Sequence, residues 1–217
     1  ESGSGKSTVG RCCLRLIEPD RGRIALGDLV LSELKPAELR RQRKRIQMVF
    51  QDPFASLNPR QTVGRIISDG PVAHGTPRKE ALARAKERLE LVGLSANAID
   101  RYPHEFSGGQ RQRVGIARAL ALEPDVLVAD EAVSALDVSV QAQILKLIKD
   151  IQSRLGLAIL FVTHDLRVAA QICDRIAVMQ RGRIVETGPT AAIFADPQHA
   201  YTRQLLAAVP GGGRFGQ

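Results

Sequence analysis

The chain has 217 residues, 44% of them hydrophobic, which is enough to bury one sizeable core. Aromatic residues make up only 4% and tryptophan is absent, which argues against a stacking platform for single-stranded nucleic acid. The formal charge is +8, yet the longest apolar stretch, Leu157–Val162, is far too short to span a bilayer, and no basic-then-apolar leader opens the sequence. A soluble protein is expected, with any membrane role exercised through a partner.

In chain order, Ser7–Ile17 reads as a helix stopped by Glu18-Pro19. Arg23–Leu26 and Leu29–Leu31 flank Gly27-Asp28, a hairpin signal. Much of the positive charge falls in one run, Lys35, Arg40, Arg41, Arg43, Lys44 and Arg45. Such a run could meet nucleic acid or anionic headgroups. With no base-reading module beside it, it reads instead as the solvated face of a short helix leading into a strand at Ile46–Phe50. From Phe54 to Tyr102 the texture turns to Gly, Pro and polar residues around helical patterns. Within Arg78–Val92 the apolar positions Leu82, Ala85, Leu89 and Val92 line one helix face.

Beyond that stretch, strands alternate with helices: Val126–Ala129, helix Val138–Leu155, Leu157–Val162, helix Leu166–Ile172 and Arg175–Met179. Continuous apolar strands separated by helices of this length predict a parallel α/β sheet with residues 54–102 as a helical insertion. Cys12, Cys13 and Cys173 have neither disulfide nor metal spacing and read as reduced thiols.

Three motifs carry chemistry. Ser2-Gly3-Ser4-Gly5-Lys6-Ser7-Thr8 matches the end of a phosphate-binding loop. Its glycines let backbone N–H groups converge on phosphate oxygens, and the helix that follows adds its positive N-terminus. Lys6 is placed to meet the β- and γ-phosphates and Ser7 to ligate Mg²⁺. The first glycine of the pattern, and the strand that delivers such a loop, are expected upstream of Glu1. The second motif is the apolar strand ending in Asp130-Glu131, because a carboxylate at a buried strand end needs a cation or donors. Asp130 would organise Mg²⁺ and Glu131 would polarise the attacking water. The third is Phe106-Ser107-Gly108-Gly109-Gln110, with Ser107 as an N-cap and the glycines leaving N–H groups open to an anion.

Ser-Gly-Gly-Gln set between a phosphate loop and an Asp-Glu strand closely resembles the signature of ATP-binding-cassette ATPases. The resemblance implies a P-loop NTPase parallel-sheet core (residues 1–53 and 103–188), a helical subdomain (54–102) and a helical tail (189–217). Gln51 is similar to the glutamine that links Mg²⁺ to the transporter contact. Ser134-Ala135-Leu136-Asp137 is similar to the dimer-interface loop, and His164 to the switch histidine at the γ-phosphate. The implied cofactors are ATP, bound by Ser2–Thr8, Gln51, Asp130, His164, Asp137 and Ser107–Gln110, and Mg²⁺, held by Ser7, Gln51 and Asp130.

Residues 51–60, 101–106 and 196–206 bring the chain nearest to ATPases of dipeptide, oligopeptide, glutathione and nickel importers. The resemblance therefore implies a head-to-tail partner ATPase, membrane-spanning permease subunits and, indirectly, an extracytoplasmic binding protein, at the cytoplasmic face of the membrane. No nucleic acid is expected. Ala132 departs from the Pro of many cassettes, and with the sequence reading only a little past Pro210 the cysteine-bearing C-terminal extension of some relatives is not expected. A soluble cassette acting on nucleic acid, or an inactive regulatory cassette, are the rival readings. The first would ordinarily bring a second cassette or a coiled coil, and the second is opposed by the presence of Lys6, Asp130, Glu131 and His164.

Overall fold

The computed structural model of the chain describes residues 3–208. Ser2, Pro210 and Gly211–Gly213 lie outside the described residues. Helix α1 (Lys6–Cys13) leads through a small hairpin, β1 (Ala25–Leu26) and β2 (Leu29–Val30), to helix α2 (Pro36–Gln42) and strand β3 (Ile46–Val49). A helical stretch follows, with α3 (Pro53–Ser56), α4 (Val63–Ala73) and α5 (Arg78–Leu91). Next come α6 (Gly108–Leu120), β4 (Val126–Asp130), α7 (Val138–Leu155), β5 (Ala158–Val162) and α8 (Leu166–Ile172). The chain closes with β6 (Arg175–Gln180), β7 (Arg183–Pro189), α9 (Thr190–Ala195) and α10 (Ala200–Ala207).

The α/β core is a parallel sheet in the order β3-β4-β5, with Val49 opposite Ala129 and Asp130 opposite Val162. Parallel strands need long crossovers, and both β3→β4 and β4→β5 make theirs through helices. One buried cluster runs from Ile67 and Leu89 of the helical stretch through Ile116 and Leu120 of α6 to Leu127, Ile144 and Ile148. Residues 63–99 thus share a core with the sheet-bound helices. On the opposite face α1 presses on the sheet at Gly10, where a Cβ would sit 3.3 Å from Val128 Cγ1.

Three expectations need correction. The first helix ends at Cys13 and not Ile17, because Arg15 takes a left-handed conformation (φ 49). Arg15 N–H bonds Cys12 O at 2.8 Å and Leu16 N–H bonds Arg11 O at 2.9 Å, a Schellman cap built on arginine where glycine is usual. The Arg15 side chain holds the cap by donating to Leu31 O and Leu34 O. Second, β6 is not a member of the parallel sheet. It pairs antiparallel with β7, a strand absent from the sequence reading, across a two-residue turn with positive φ at Arg181 (48) and Gly182 (77). That is type I′ geometry, and an arginine at its first central position hides the usual Asn-Gly signal. Third, Phe50 lies beyond β3, and Leu31 begins a 3₁₀ turn rather than ending β2.

The basic run forms α2 and a following 3₁₀ turn, with Arg40, Arg41, Arg43 and Lys44 exposed. Two of its members serve the fold: Arg45 pairs with Asp125, and Arg43 donates to Arg15 O. All three cysteines are free, and burial pushes the Cys13 and Cys173 thiols upward, away from thiolate chemistry. Among the described residues no helix is long and apolar enough to cross a membrane.

Between β5 and β6 runs an apolar channel of about 510 Å³. Leu160, Val9 and Ile184 line it and are respectively 39%, 44% and 62% exposed. Among the described residues β5 pairs only with β4 and β6 only with β7, so each turns an unpaired edge toward this channel.

The tightest joint in the helical stretch is Gly64 of α4, where an added Cβ would lie 2.3 Å from Ile99 Cγ1 and 2.9 Å from Ile99 O. Gly64→Ala should therefore overpack the junction and destabilise the chain by about 1–3 kcal/mol. In a thermal melt that corresponds to a fall in Tm of roughly 2–12 °C. A melting point equal to the parent's would show that α4 and Ile99 separate freely.

Candidate functional site

Parallel pairing places the carboxyl ends of β3, β4 and β5 side by side, the edge at which open α/β sheets bind ligands. Gln51 stands two residues past β3, Asp130 and Glu131 at and just past the end of β4, and His164 two residues past β5. Loop 3–8 comes to the same edge. Gly3 (φ 83) and Gly5 (φ 93) take left-handed conformations open to glycine, and Gly5 caps α1. Ser4 is buried, and its carbonyl accepts from Gly182 N at 3.0 Å, so the turn between β6 and β7 anchors the loop. Lys6 Nζ donates to Ser4 Oγ at 3.0 Å, curling over its own loop, while Thr8 is exposed.

Ser7 Oγ donates to Asp130 Oδ1 at 2.8 Å across 123 residues of sequence. Asp130 is 3% exposed, so a carboxylate in that position requires donors or a cation. Together they offer hard oxygen ligands. Among the described residues no group of three or more His, Cys, Asp and Glu side chains could hold a metal by itself. The donor set therefore suits a small hard cation that arrives with phosphate and water as its remaining ligands.

Glu131 has φ 48, a left-handed conformation unusual for glutamate. Its N–H donates to Val162 O at 2.9 Å, and its carbonyl accepts from Ser134 N at 3.0 Å and Ser134 Oγ at 2.9 Å. The side chain is turned toward His164, whose Nδ1 lies 3.3 Å from Glu131 Oε1. Glu131 is 17% exposed and His164 55%, so the pair opens from the sheet edge to solvent. Asp165 follows with its carboxyl held below the ordinary range, first by hydrogen bonding from the Arg167 side chain, and it caps α8 through Arg167 N.

The signature residues make their contacts with one another, with loop 131–137 and with α7. Ser107 caps α6 in a reciprocal box: Gln110 N–H donates to Ser107 Oγ at 3.4 Å, and Ser107 N–H to Gln110 Oε1 at 3.0 Å. The near neighbours of Gly108 and Gly109 are Leu136 and Val140, at 3.6 and 2.5 Å from where a Cβ would stand. They are not residues of the phosphate loop or the end of β4. Asp137 uses its carboxylate to cap α7, and the Ser139 hydroxyl and Val140 N–H hold its pKa down.

Two residues of evident structural weight escaped the sequence reading. Gln141 donates to both Val133 O and Leu136 O, clamping loop 131–137 onto α7. Arg118, inside the apolar run of α6, donates to Ser56 O and lies 5.9 Å over the Phe50 ring, tying the segment after β3 to α6. Burial lowers the pKa of its guanidinium. A lone arginine among buried aliphatics was the available signal for the second; an exposed-looking glutamine gave none for the first.

A family profile described as "ABC transporter" matches residues 1–134. A Brucella ovis protein named for ATP-binding in peptide import is 56% identical over 211 residues, 97% of this chain and 67% of its own length. The glutathione import ATP-binding protein of Escherichia coli O157:H7 is likewise 56% identical, the chain spanning 34% of it. An ATP-binding cassette solved as a post-hydrolysis dimer with ADP and Pi superposes with TM-score 0.77 and 31% identity, covering 88% of this chain and 82% of that one. CbiO1 of Clostridium perfringens, part of an ABC transporter complex, superposes with TM-score 0.81 and 31% identity over 97% of this chain and 82% of that one. The chain belongs to the ABC transporter family, as one of its ATP-hydrolysing cassettes.

Proposed function

We propose that the chain energises import of short peptides by hydrolysing ATP at the carboxyl edge of the β3-β4-β5 sheet. The observation that carries this reading is the Ser7–Asp130 bond beside Glu131 and His164. It brings a phosphate-loop hydroxyl, a buried carboxylate and an acid–imidazole pair to one place.

In this reading the N–H groups of Ser2–Thr8 and the N-terminus of α1 bind phosphate oxygens, and Lys6 exchanges Ser4 Oγ for the β- and γ-phosphates. Ser7, Asp130 and Gln51 hold Mg²⁺, which when bound neutralises the developing phosphoryl charge. Glu131 orients and deprotonates water, and its left-handed backbone fixes where the carboxylate points. His164 contacts the γ-phosphate and is positioned against Glu131. The contacts of Ser107, Gly108, Gly109 and Gln110 are with one another, Leu136 and Val140 and with no described residue of their own phosphate loop, and on this reading they serve a second ATPase across a head-to-tail dimer. Asp137, at the end of loop 131–137, lies at that interface. The dimeric state of the cassette solved with ADP and Pi supports this arrangement.

The helical subdomain, residues 54–102, carries closure of the dimer to membrane-spanning permease subunits, with Arg118 and Phe50 at the joint. The names of the Brucella and Escherichia relatives support a peptide cargo, glutathione itself being a tripeptide. On this reading an extracytoplasmic binding protein delivers cargo, and the chain works peripherally at the cytoplasmic face of the cell membrane.

Glu131→Gln should lower kcat by about 10²–10⁴-fold while leaving ATP binding intact, since it removes the base and keeps the shape. Single-turnover hydrolysis and an equilibrium binding assay read the two effects, and hydrolysis at the parental rate would remove Glu131 from the role.

Ser107→Arg should reduce ATPase activity of the assembled transporter on the order of 10²-fold, the scale of losing a preorganised donor to a developing charge. The isolated subunit's affinity for ATP should not change. Affinity collapsing in the monomer would show that the signature acts on its own nucleotide.

A further inference from the structure

Just past β3 the chain is rooted at two points, Val49 and Leu57, both buried in the main core. The residues between them do not rest on a packed floor. Phe50, Ser56 and Arg118 line a cavity of about 440 Å³, and Phe50 is 36% exposed. Gln51 lies in this bridge and is itself exposed.

One side chain grips the bridge on both sides of Gln51. The Arg118 guanidinium lies 5.9 Å over the Phe50 ring and donates through Nη1 to Ser56 O. Ser56 is in turn tied to Asp52. Its N–H bonds Asp52 O at 3.1 Å, and Ala55 N–H bonds Asp52 Oδ1 at 3.2 Å, so residues 52–56 form one closed turn. Both chain neighbours of Gln51 are therefore held from α6, Phe50 directly and Asp52 through the turn.

Bulk alone does not account for an arginine at this place. Ile116, Ala117, Ala119 and Leu120 around it in sequence are buried, and among the described residues no carboxylate is ion-paired with it. An apolar side chain of similar volume would fill the space without stripping water from a cation. What arginine adds is a flat face and a rigid fork of donors, and holding a ring and a carbonyl together needs both.

We propose that Arg118 is a positioning residue for the metal site, setting through Phe50 and Ser56 where Gln51 presents its amide oxygen at the carboxyl edge of the sheet. This rests on the reading that Gln51 helps to hold Mg²⁺. An exposed glutamine serves as a ligand only as well as its backbone is fixed, and here α6 does the fixing.

The test uses the full-length protein assembled with its membrane subunits and carrying Glu131→Gln, so that ATP is held and not turned over. Mn²⁺, which takes the same oxygen ligands as Mg²⁺, is titrated in and its bound fraction read by paramagnetic resonance. Arg118→Met should raise the dissociation constant for Mn²⁺ about tenfold, the scale of losing the support behind a metal ligand. ATP affinity measured with the metal chelated should not move. Phe50→Leu, which keeps Arg118 but removes the ring beneath it, should weaken Mn²⁺ in the same sense, and it carries the test if Arg118→Met does not assemble. Gln51→Ala should weaken Mn²⁺ at least as much as Arg118→Met. Adding Arg118→Met to Gln51→Ala should then change nothing further, because the two act through one ligand.

Unchanged Mn²⁺ affinity in Arg118→Met or Phe50→Leu, with Gln51→Ala weakened, would overturn the positioning role and leave the ligand reading standing. If Gln51→Ala binds Mn²⁺ like the parent, the ligand reading has failed and the proposal with it. Additive losses in the double variant would show that Arg118 reaches the metal by another route, which also overturns it. An equal fall in ATP affinity with and without metal would mean general loosening of the chain, and the proposal would be wrong.

Discussion

One hydrogen bond organises the molecule: Ser7 Oγ to Asp130, 2.8 Å long, between the first helix and the middle strand of the sheet. Removing Asp130 from water is unfavourable unless something meets its charge, so the bond constrains how α1 may lie. The helix must cross β4 closely, and Gly10 against Val128 makes the close approach possible. With α1 seated, the phosphate loop falls at the carboxyl edge of the sheet. The parallel register then brings the segments after β3 and β5 to the same edge. The chemistry of the site and the topology of the sheet are thus consequences of one another.

A second constraint acts one residue further along. Glu131 sits in a backbone region that costs a non-glycine residue about 1–3 kcal/mol. Three hydrogen bonds, one to Val162 and two from Ser134, hold it there. Gln141 then fixes the remainder of the loop to α7, whose N-terminus meets Gly109 through Val140. The acid beside the phosphate loop and the signature helix are therefore connected by a short run of chain held by several hydrogen bonds. A shift at either end has a mechanical route to the other, with loop 131–137 as the link.

Much of this was legible in the sequence because the decisive signals are local. Helices Val138–Leu155 and Leu166–Ile172 are bounded by Asp137 and Asp165, which cap through their own carboxylates, and both spans match the reading residue for residue. The phosphate loop, Asp130-Glu131 and Ser107–Gln110 announce themselves through residue types that few other chemistries require. What escaped was conformational or long-range. The left-handed arginines, Arg15 and Arg181, end a helix and turn a hairpin in places where glycine would have been recognisable. The rank of β6 depended on β7, whose residues Arg183–Pro189 alternate too weakly to read as a strand. The carbonyl contacts of Gln141 and Arg118 involve backbone that a sequence pattern does not display.

The channel between β5 and β6 has a bearing on what the sheet can accept beside it. Among the described residues neither bordering strand has a ladder partner on this side, and between them lie Leu160, Val9 and Ile184. An open edge with an apolar floor is a template for any extended segment, whether a neighbouring molecule's strand or a chaperone substrate-like tail.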